Sequence, residues 1–585
     1  MSWGSPNDQQ SGTGGGQGAG GEPLFILAGL IAVVFVAAWV AWLAGAVTAL
    51  VCGHGWHGKT AGSAVPFAWS LVRGRSAAAA WAGLHAGALG PVPVFWVVLV
   101  LLAAAVLVPA VMLMVRYRGS HRPHLGAQWA RRDQERSMVV PDDHPKRPYR
   151  LTAGRSELTN RLLAGADCMS ATAFGPNGSG KTVSLVVPNA LEWQGPAAIT
   201  TAKGPDVEYM LTARQGLGPV YIVAPTGLPG QQTARWSPVA YCTDQAAAAR
   251  MARWLCEAAA MEDPSSKPWV TQAKQFIGPL LLAANWSGKG IDAFVDFVQR
   301  GKAADAEVRD MLKSRGAQEF LRQYSSVWQL HPDGVGSVLF TANTLIDPYL
   351  NPTIRASAAD SDFTAEDILS SNGTLFIVSP PSESKALAPL FTALLLTLVY
   401  AVEREYERIN VGRPPGTKPR PLEPRLLLNL DEAGNVFKYP GLAQLSSTAR
   451  GMGIQLLTIW HDLAQLEGLY GEHDARTIIS QAKTRMILPG LGDDSTLEYF
   501  SKSFGDTVRK RASVTTGSDG RGSSTTNSHE SPLIAAYQLR ELARGHAVIQ
   551  YDNLPPMKIE LRNAETDKHL QALANGSALI MERIA

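Results

Sequence analysis

Cysteine is nearly missing from this chain: Cys52, Cys168, Cys242 and Cys256 are the only four in 585 residues. None of them forms the short paired spacing of a redox or zinc motif, so a disulfide scaffold is excluded and a reducing interior is implied. Cys52, His54 and His57 lie close together, but three ligand types at the edge of an apolar run fall short of a metal site. Net charge is lacking as well. Fifty-three Lys and Arg against 50 Asp and Glu leave +3, too little to mark a nucleic-acid binder by charge alone. Residues 1–22 contain no basic side chain and are mostly Gly, Gln, Ser and other small or polar types. The missing basic n-region argues against a secretory signal peptide, and the missing apolar content reads as a disordered tail.

Charge is also absent from Leu24 to Val51 and from Val92 to Val115. A bilayer core needs about 20 apolar helical residues, so each run is long enough to span with some tilt. Neither has the polar stripe of a soluble helix. Lys59, Arg73 and Arg75 lie between the two runs without an acid, whereas 116–150 carries nine Arg or Lys against four Asp or Glu. The heavier positive flank marks the cytoplasmic side. The expectation is a cell-membrane protein with two spans, a short external loop, and both termini cytoplasmic.

What is present is most informative at Gly175-Pro176-Asn177-Gly178-Ser179-Gly180-Lys181-Thr182, which meets the pattern G-x-x-x-x-G-K-[ST] in full. Glycines at 175, 178 and 180 let the backbone curl so that several N–H groups face one point, and a helix N-terminus adds partial positive charge there. Lys181 would reach the β and γ phosphates of ATP, and the Thr182 hydroxyl would ligate Mg²⁺. The segment 168–174 before the loop reads as a buried strand and 182–191 after it as a helix. That order is the context the motif requires.

Short apolar runs bounded by turn residues recur at 197–200, 220–223, 374–379, 425–430, 454–459 and 484–488, and each reads as a buried strand. Helical patterns at 387–409 and 463–483 alternate with them, which calls for a parallel sheet covered on both faces, an α/β fold. From 245 to 345 convincing strands are missing and apolar residues follow helical spacing, as at Ile277, Leu280, Leu281 and Ala284. The organisation expected is a tail over 1–22, a membrane anchor over 23–115, a nucleotide-binding domain split between 116–244 and 346–585, and an all-helical insert over 245–345, with further helices of the main domain as the alternative for that stretch. Arg509, Lys510 and Arg511 precede a Ser, Thr and Gly-rich stretch read as a flexible arm near 509–530, whose basic residues could touch a phosphate backbone. Residues 546–551 and 557–561 read as a closing pair of strands.

The run Arg425-Leu-Leu-Leu-Asn-Leu-Asp-Glu432 ends an apolar strand on two carboxylates. Coupled to the phosphate loop, Asp431 would hold the magnesium shell and Glu432 would orient or deprotonate the attacking water. Asn429 within that strand needs a partner if buried.

Asp431-Glu-Ala-Gly-Asn-Val436, then Leu445-Ser-Ser-Thr-Ala-Arg-Gly-Met-Gly-Ile454 and Leu463-Ala-Gln-Leu-Glu-Gly-Leu-Tyr-Gly471, resemble the type IV secretion coupling proteins, the TraG/TraD group of conjugative DNA-transfer ATPases. Gly126-Ala-Gln-Trp-Ala130, Lys203-Gly204 and Trp236-Ser-Pro-Val239 extend the likeness over most of the chain after residue 120. The resemblance implies a RecA-like motor domain with a helical insert, assembled as a homohexameric ring under the membrane. It also implies DNA, a relaxase and secretion-channel components as partners. The family's arginine finger falls on Arg450, which would reach the γ-phosphate held by a neighbouring subunit; a cation closing a helix C-terminus is the alternative. One departure stands out. Where the family usually has a γ-phosphate-sensing Gln, this chain has His461, which can still donate a hydrogen bond, but with different reach and pH dependence.

Other machines share parts of this pattern. A double-stranded DNA pump of the chromosome-partitioning type would normally add a DNA-reading winged helix, and nothing after Tyr551 is long enough for one. A protein exporter and a nucleotide-stabilised docking receptor stay open, whereas an ABC-type transporter is disfavoured because no Leu-Ser-Gly-Gly-Gln run occurs.

Overall fold

The computed structural model describes residues 22–56, 62–84, 88–120, 126–142, 148–262, 269–434, 439–516 and 522–576; the tail expected at the N-terminus lies outside them except for Glu22. The chain divides into two compact units, 1–124 and 125–585.

The first unit is helical: α1 (Glu22–Val51), α2 (Ala64–Val72), α3 (Ala77–Ala82) and α4 (Val92–Ser120). Within α1 and α4, Ala32–Val51 and Val92–Met112 are long and apolar enough to cross a membrane, with mean hydropathies of 2.2 and 2.9. Trp42, Ala44, Ala46 and Ala49 of α1 share a small core with Phe67, Trp81 and Phe95. The rings of Phe67 and Trp81 meet edge to face at 5.4 Å. Gly45 makes this packing feasible, since a Cβ there would lie 2.4 Å from the Trp81 ring. Most of α4 is uncovered within the unit, leaving Val97, Val100, Leu101 and Leu107 exposed.

The second unit opens with α5 (Arg132–Glu135), then β1 (Thr152–Ser156), β2 (Leu162–Ala164) and β3 (Ala171–Phe174). A turn wound with i→i+5 geometry (Thr182–Val186) leads into α6 (Val187–Glu192), followed by β4 (Ala197–Thr201), α7 (Gly204–Gln215) and β5 (Val220–Val223). A helical stretch follows: α8 (Gln245–Glu262), α9 (Val270–Trp286), α10 (Ile291–Arg300), α11 (Asp305–Ser314), α12 (Gln318–Val327), α13 (Pro332–Ile346), α14 (Pro352–Ser357) and α15 (Ala365–Ser370). Alternation then resumes with β6 (Thr374–Val378), α16 (Ser384–Asn410), β7 (Leu426–Leu430), α17 (Leu442–Met452), β8 (Ile454–Trp460), α18 (Leu463–Gln481), β9 (Thr484–Ile487) and α19 (Asp494–Phe504). The chain closes through β10 (Asp506–Thr516), β11 (Gly522–Pro532), α20 (Ala536–Arg540), β12 (His546–Tyr551), β13 (Met557–Glu560) and α21 (Lys568–Ala574).

Eleven strands form one sheet in the order β2-β1-β13-β12-β9-β3-β8-β7-β4-β6-β5. The seven from β9 to β5 are parallel. The four at the other edge add antiparallel, β12 pairing with β9 and β1 with both β13 and β2. Residues alternate between two cores as the pleat requires. Leu426, Leu428 and Leu430 face one side and Leu427 the other. The first face carries α16 and the helices of 245–370, and the second carries α6, α7 and α21. Helix α16 is also apolar enough to cross a membrane, but 78% of its apolar window is buried in the protein, so its sequence is that of a core helix. Arg214 of α7 is fully buried; its guanidinium donates to the carbonyls of Trp193 (2.6 Å) and Gly195 (2.7 Å) and to Thr374 Oγ1 (2.8 Å). That cation closes the C-terminal end of α6, and burial pulls its pKa down to about 9.

The observed elements add to the sequence reading in three places. The helical stretch continues past 345 to Ser370 and shares its core with the sheet face, because β6 starts only where Gly373 breaks the pattern. Within the stretch expected as a flexible arm near 509–530, the described residues form a hairpin of two 11-residue antiparallel strands, β10 and β11, from Asp506↔Pro532 to Thr516↔Gly522, and 517–521 lie outside the described residues. Thr507, Val508, Val514, Thr515, Thr516, Thr525 and Thr526 are β-branched and favour extended backbone, and cross-strand hydrogen bonding needs no apolar face. Strands β1 and β2 went unread because β1 is largely polar, with Thr152, Arg155 and Ser156, and β2 is an apolar run of only three residues, Leu162–Ala164.

Candidate nucleotide site

Three loops leave the parallel sheet at one edge. Phe174 of β3 pairs with Trp460 of β8, and Leu430 of β7 pairs with Thr458. Gly175, Asp431 and His461 are therefore each the first residue beyond neighbouring strand ends, where ligands bind in open α/β sheets.

Gly178 and Gly180 adopt φ of +81° and +88°, which L-residues resist. Gly175 is required for a different reason: a Cβ there would lie 2.6 Å from Ser179 Oγ and 2.8 Å from Leu488 Cβ. Ser179 Oγ is buried and has no hydrogen-bond partner among the described residues. Asn177 and Gly178 form the exposed tip, with Pro176 half-buried beside them. The loop thus keeps a concave, polar interior of the kind that takes an anion.

Thr182 Oγ1 donates to Asp431 Oδ2 at 2.7 Å. Thr200, in the strand beside β7, donates its hydroxyl to the Asp431 carbonyl at 2.8 Å, and the Glu432 N–H donates to Asp431 Oδ1 at 3.0 Å. Burial pushes the Asp431 carboxyl up to about 6, against the Thr182 hydrogen bond, while the charges of Glu432 and Asp206 raise it further. A cation between Thr182 and Asp431 would reverse that shift. Glu432 sits half-buried at φ +48°, an uncommon conformation for a non-glycine residue and one that concentrates at functional sites.

Lys181 is nearly buried, and its ammonium donates to the carbonyls of Gly175 (2.5 Å) and Pro176 (3.0 Å). Its third contact is His461 Nδ1 at 3.2 Å. Burial lowers the Lys181 pKa, opposed by Asp431 and Glu432. Burial and then the Lys181 charge lower that of His461. His461 is accordingly neutral near pH 7, and a neutral ring that accepts at Nδ1 carries its proton on Nε2. Lys181, Thr182, Asp431, Glu432 and His461 thus form one cluster.

Arg450 does not join it. It is exposed in the last turn of α17, just before β8 starts, and so lies at the amino end of the parallel strands. Its charge acts on Asp167, which also pairs with Arg425 at that end.

The description "Type IV secretory system Conjugative DNA transfer" matches residues 130–564. This chain belongs to that family. Among its relatives, Protein VirD4 of Agrobacterium fabrum (strain C58 / ATCC 33970) is 23% identical over 82% of this chain and 72% of its own length. The Conjugal transfer protein TraG of Escherichia coli is 26% identical over 59% of this chain and 56% of its own. The bacterial conjugative coupling protein TrwBdeltaN70, in its unbound monoclinic form, superposes with a TM-score of 0.53 at 17% identity, covering 75% of this chain and 93% of that one. TrwB in complex with ADP and Mg²⁺ gives 0.51 at 17% identity over 76% and 96%. This family member therefore has the RecA-like phosphate-loop fold of the coupling proteins, as the family resemblance implied.

Three residues of this coupling protein's site escape a motif reading. Thr200 holds the Asp431 backbone. Asp206, in the first turn of α7, accepts from Thr201 Oγ1 at 2.9 Å and adds a third carboxylate near Asp431. Gln465 accepts the His461 N–H at 3.0 Å while donating its own N–H to the helix-capping Asp462. The Asp-x-x-Gln spacing was a legible cap signal; nothing along the chain ties Thr200 or Asp206 to position 431.

Proposed function

We propose that this chain is a membrane-anchored ATPase that, as a homohexamer, recruits relaxase-bound single-stranded DNA and drives it into a type IV secretion channel. The observation that carries the reading is the meeting of Lys181, Thr182 and Asp431, which supplies a phosphate cation and two magnesium ligands at one point. In this reading Lys181 leaves the carbonyls of Gly175 and Pro176 to hold the β and γ phosphates of ATP, with the N–H groups of 178–182 cradling the chain. Thr182 and Asp431 hold Mg²⁺. When bound, the ion offsets charge on the phosphate oxygens. Glu432 accepts the proton of the attacking water, His461 senses the γ-phosphate in place of the usual Gln, and Arg450 reaches the site of a neighbouring subunit from the far end of its own sheet. Helices α1 and α4 serve as two spans in the cell membrane, with both termini cytoplasmic; the basic flank over 116–150 supports that orientation. The helices expected over 245–345 form the insert of this reading.

The test is ATP hydrolysis by the full-length, detergent-extracted protein with and without single-stranded DNA. DNA-stimulated turnover that Lys181→Ala abolishes is expected. Lys181→Ala turnover equal to the parent's would end the motor reading, and turnover indifferent to DNA would favour protein export.

A further inference from the structure

The helix that follows Lys181 is missing a hydrogen bond that its own sequence cannot supply. Over Thr182–Val186 the ladder is wound wide, and the Val187 N–H reaches the Thr182 carbonyl. The next donor in that register would be residue 188, five positions after Val183. Residue 188 is a proline and has no N–H. An interior carbonyl without a donor is costly, and a distant part of the chain fills the gap: the Ala564 N–H donates to the Val183 carbonyl at 2.9 Å.

The surrounding segment is anchored on both sides. Arg562, almost fully buried, donates to Glu192 Oε1 at 2.7 Å and to Asp567 Oδ2 at 2.8 Å. Glu192 is the last residue of α6, so the two contacts, at Val183 and Glu192, grip the phosphate-loop helix near its start and at its end. The Ala564 carbonyl accepts from Tyr209 Oη of α7 at 2.5 Å. Asp567 caps α21 through the N–H groups of His569 and Leu570, and Leu570 and Leu573 are fully buried below. From the opposite side Asn429 Nδ2 donates to the Val186 carbonyl at 2.9 Å. The turn held in this way contains Thr182, whose hydroxyl contacts Asp431. Lys181 lies before it, and its ammonium is held by the loop's own carbonyls.

We infer that Ala564 and Arg562 are positioning residues for the magnesium limb of the nucleotide site: they supply the donor that Pro188 withholds and keep the widened turn, and with it Thr182, in place. The inference rests on the nucleotide-site reading above. Its consequence is selective. Lifting 562–574 from the helix disturbs the Thr182 side of the site before the Lys181 side, so a force on the C-terminal segment is felt as a change in magnesium dependence.

The experiment uses the full-length protein and a fluorescent ATP analogue, titrated in Mg²⁺ and again in EDTA. Ala564→Pro removes the donor, and Arg562→Met combined with Glu192→Gln removes both members of the buried pair, while the more exposed Asp567 keeps its capping bonds to the N–H groups of His569 and Leu570. Both are expected to weaken binding in Mg²⁺ by about 10-fold, the low end of what outer partners of metal ligands contribute, while affinity in EDTA stays at the parent's value. Arg562→Lys should restore part of the loss. Should Ala564→Pro fail to fold, the double variant carries the same test. Parent-like affinity in Mg²⁺, or equal losses in Mg²⁺ and EDTA, would overturn the inference. Thr182→Ala separates the two levels: if it leaves the magnesium dependence intact, the nucleotide-site reading fails, not the strap alone.

Discussion

Thr182 Oγ1 lies 2.7 Å from Asp431 Oδ2, although 249 positions separate the two residues along the chain. The first stands in the turn after β3 and the second follows β7, with β8 between those strands. Equal strand ends bring them abreast, and the helices of 245–370 are accommodated without disturbing that pairing because they leave and rejoin the sheet on one face.

The raised pKa of Asp431 sets a pH dependence. Burial lifts it to about 6, above the ordinary carboxylate value of about 3.9. The folded, magnesium-free protein therefore takes up a proton that the unfolded chain releases. The stabilisation linked to this group is present below about pH 4 and is lost as pH rises through about 6. Magnesium must displace that proton, so affinity for the nucleotide in Mg²⁺ should fall as pH drops through about 6. Titrations from about pH 5 to about pH 8 should show this fall in the parent and a flat profile in Asp431→Asn.

Replacing Glu432 by Gln keeps its shape and its left-handed backbone but removes the base. Turnover should drop by about 10²–10⁴ while nucleotide affinity is retained, measured by single-turnover hydrolysis beside equilibrium binding. Unchanged turnover would favour a docking receptor in which nucleotide only stabilises the assembly.

Arg450 is exposed at the amino end of the strands, away from its own phosphate loop. If it acts on a neighbour, Arg450→Ala should lower turnover by about 10³ or more without weakening nucleotide binding. Mixing Arg450→Ala with Lys181→Ala should recover activity, because a mixed ring contains pairs with an intact finger facing an intact loop. Failure to recover across all mixing ratios would return Arg450 to the role of a helix-end cation.

His461 gives the Lys181 ammonium an acceptor at 3.2 Å. His461→Leu leaves that nearly buried ammonium with one acceptor fewer, a loss of about 1–3 kcal/mol that should lower the thermal midpoint of the nucleotide-free protein. His461→Gln, which offers a carbonyl oxygen, should lose less in the same scan and retain more hydrolysis. Equal losses in the two variants would show that the ring matters by packing and not as an acceptor.

Much of this protein could be read along the chain, because the deciding signals are local. The phosphate loop requires glycine where φ is positive, and Gly178 and Gly180 are there. Six apolar runs became the strands they suggested, within a residue or two, since a strand buried on both faces needs continuous apolar sequence. The gap in strands after β5 was legible for the same reason, although its end at Ser370 was not. Tertiary structure alone decided which groups meet. A short strand carries no label for its neighbour, so the sequence could not bring Thr200 and Asp206 to Asp431, send Arg450 to the opposite end, or add β1 and β2 to the edge. Asn429 shows the difference in one residue. Its polarity inside an apolar strand announced that it needed a partner, and only the folding of 186 against 429 supplied one, because hydrogen bonds are satisfied by position in space and not by distance along the chain.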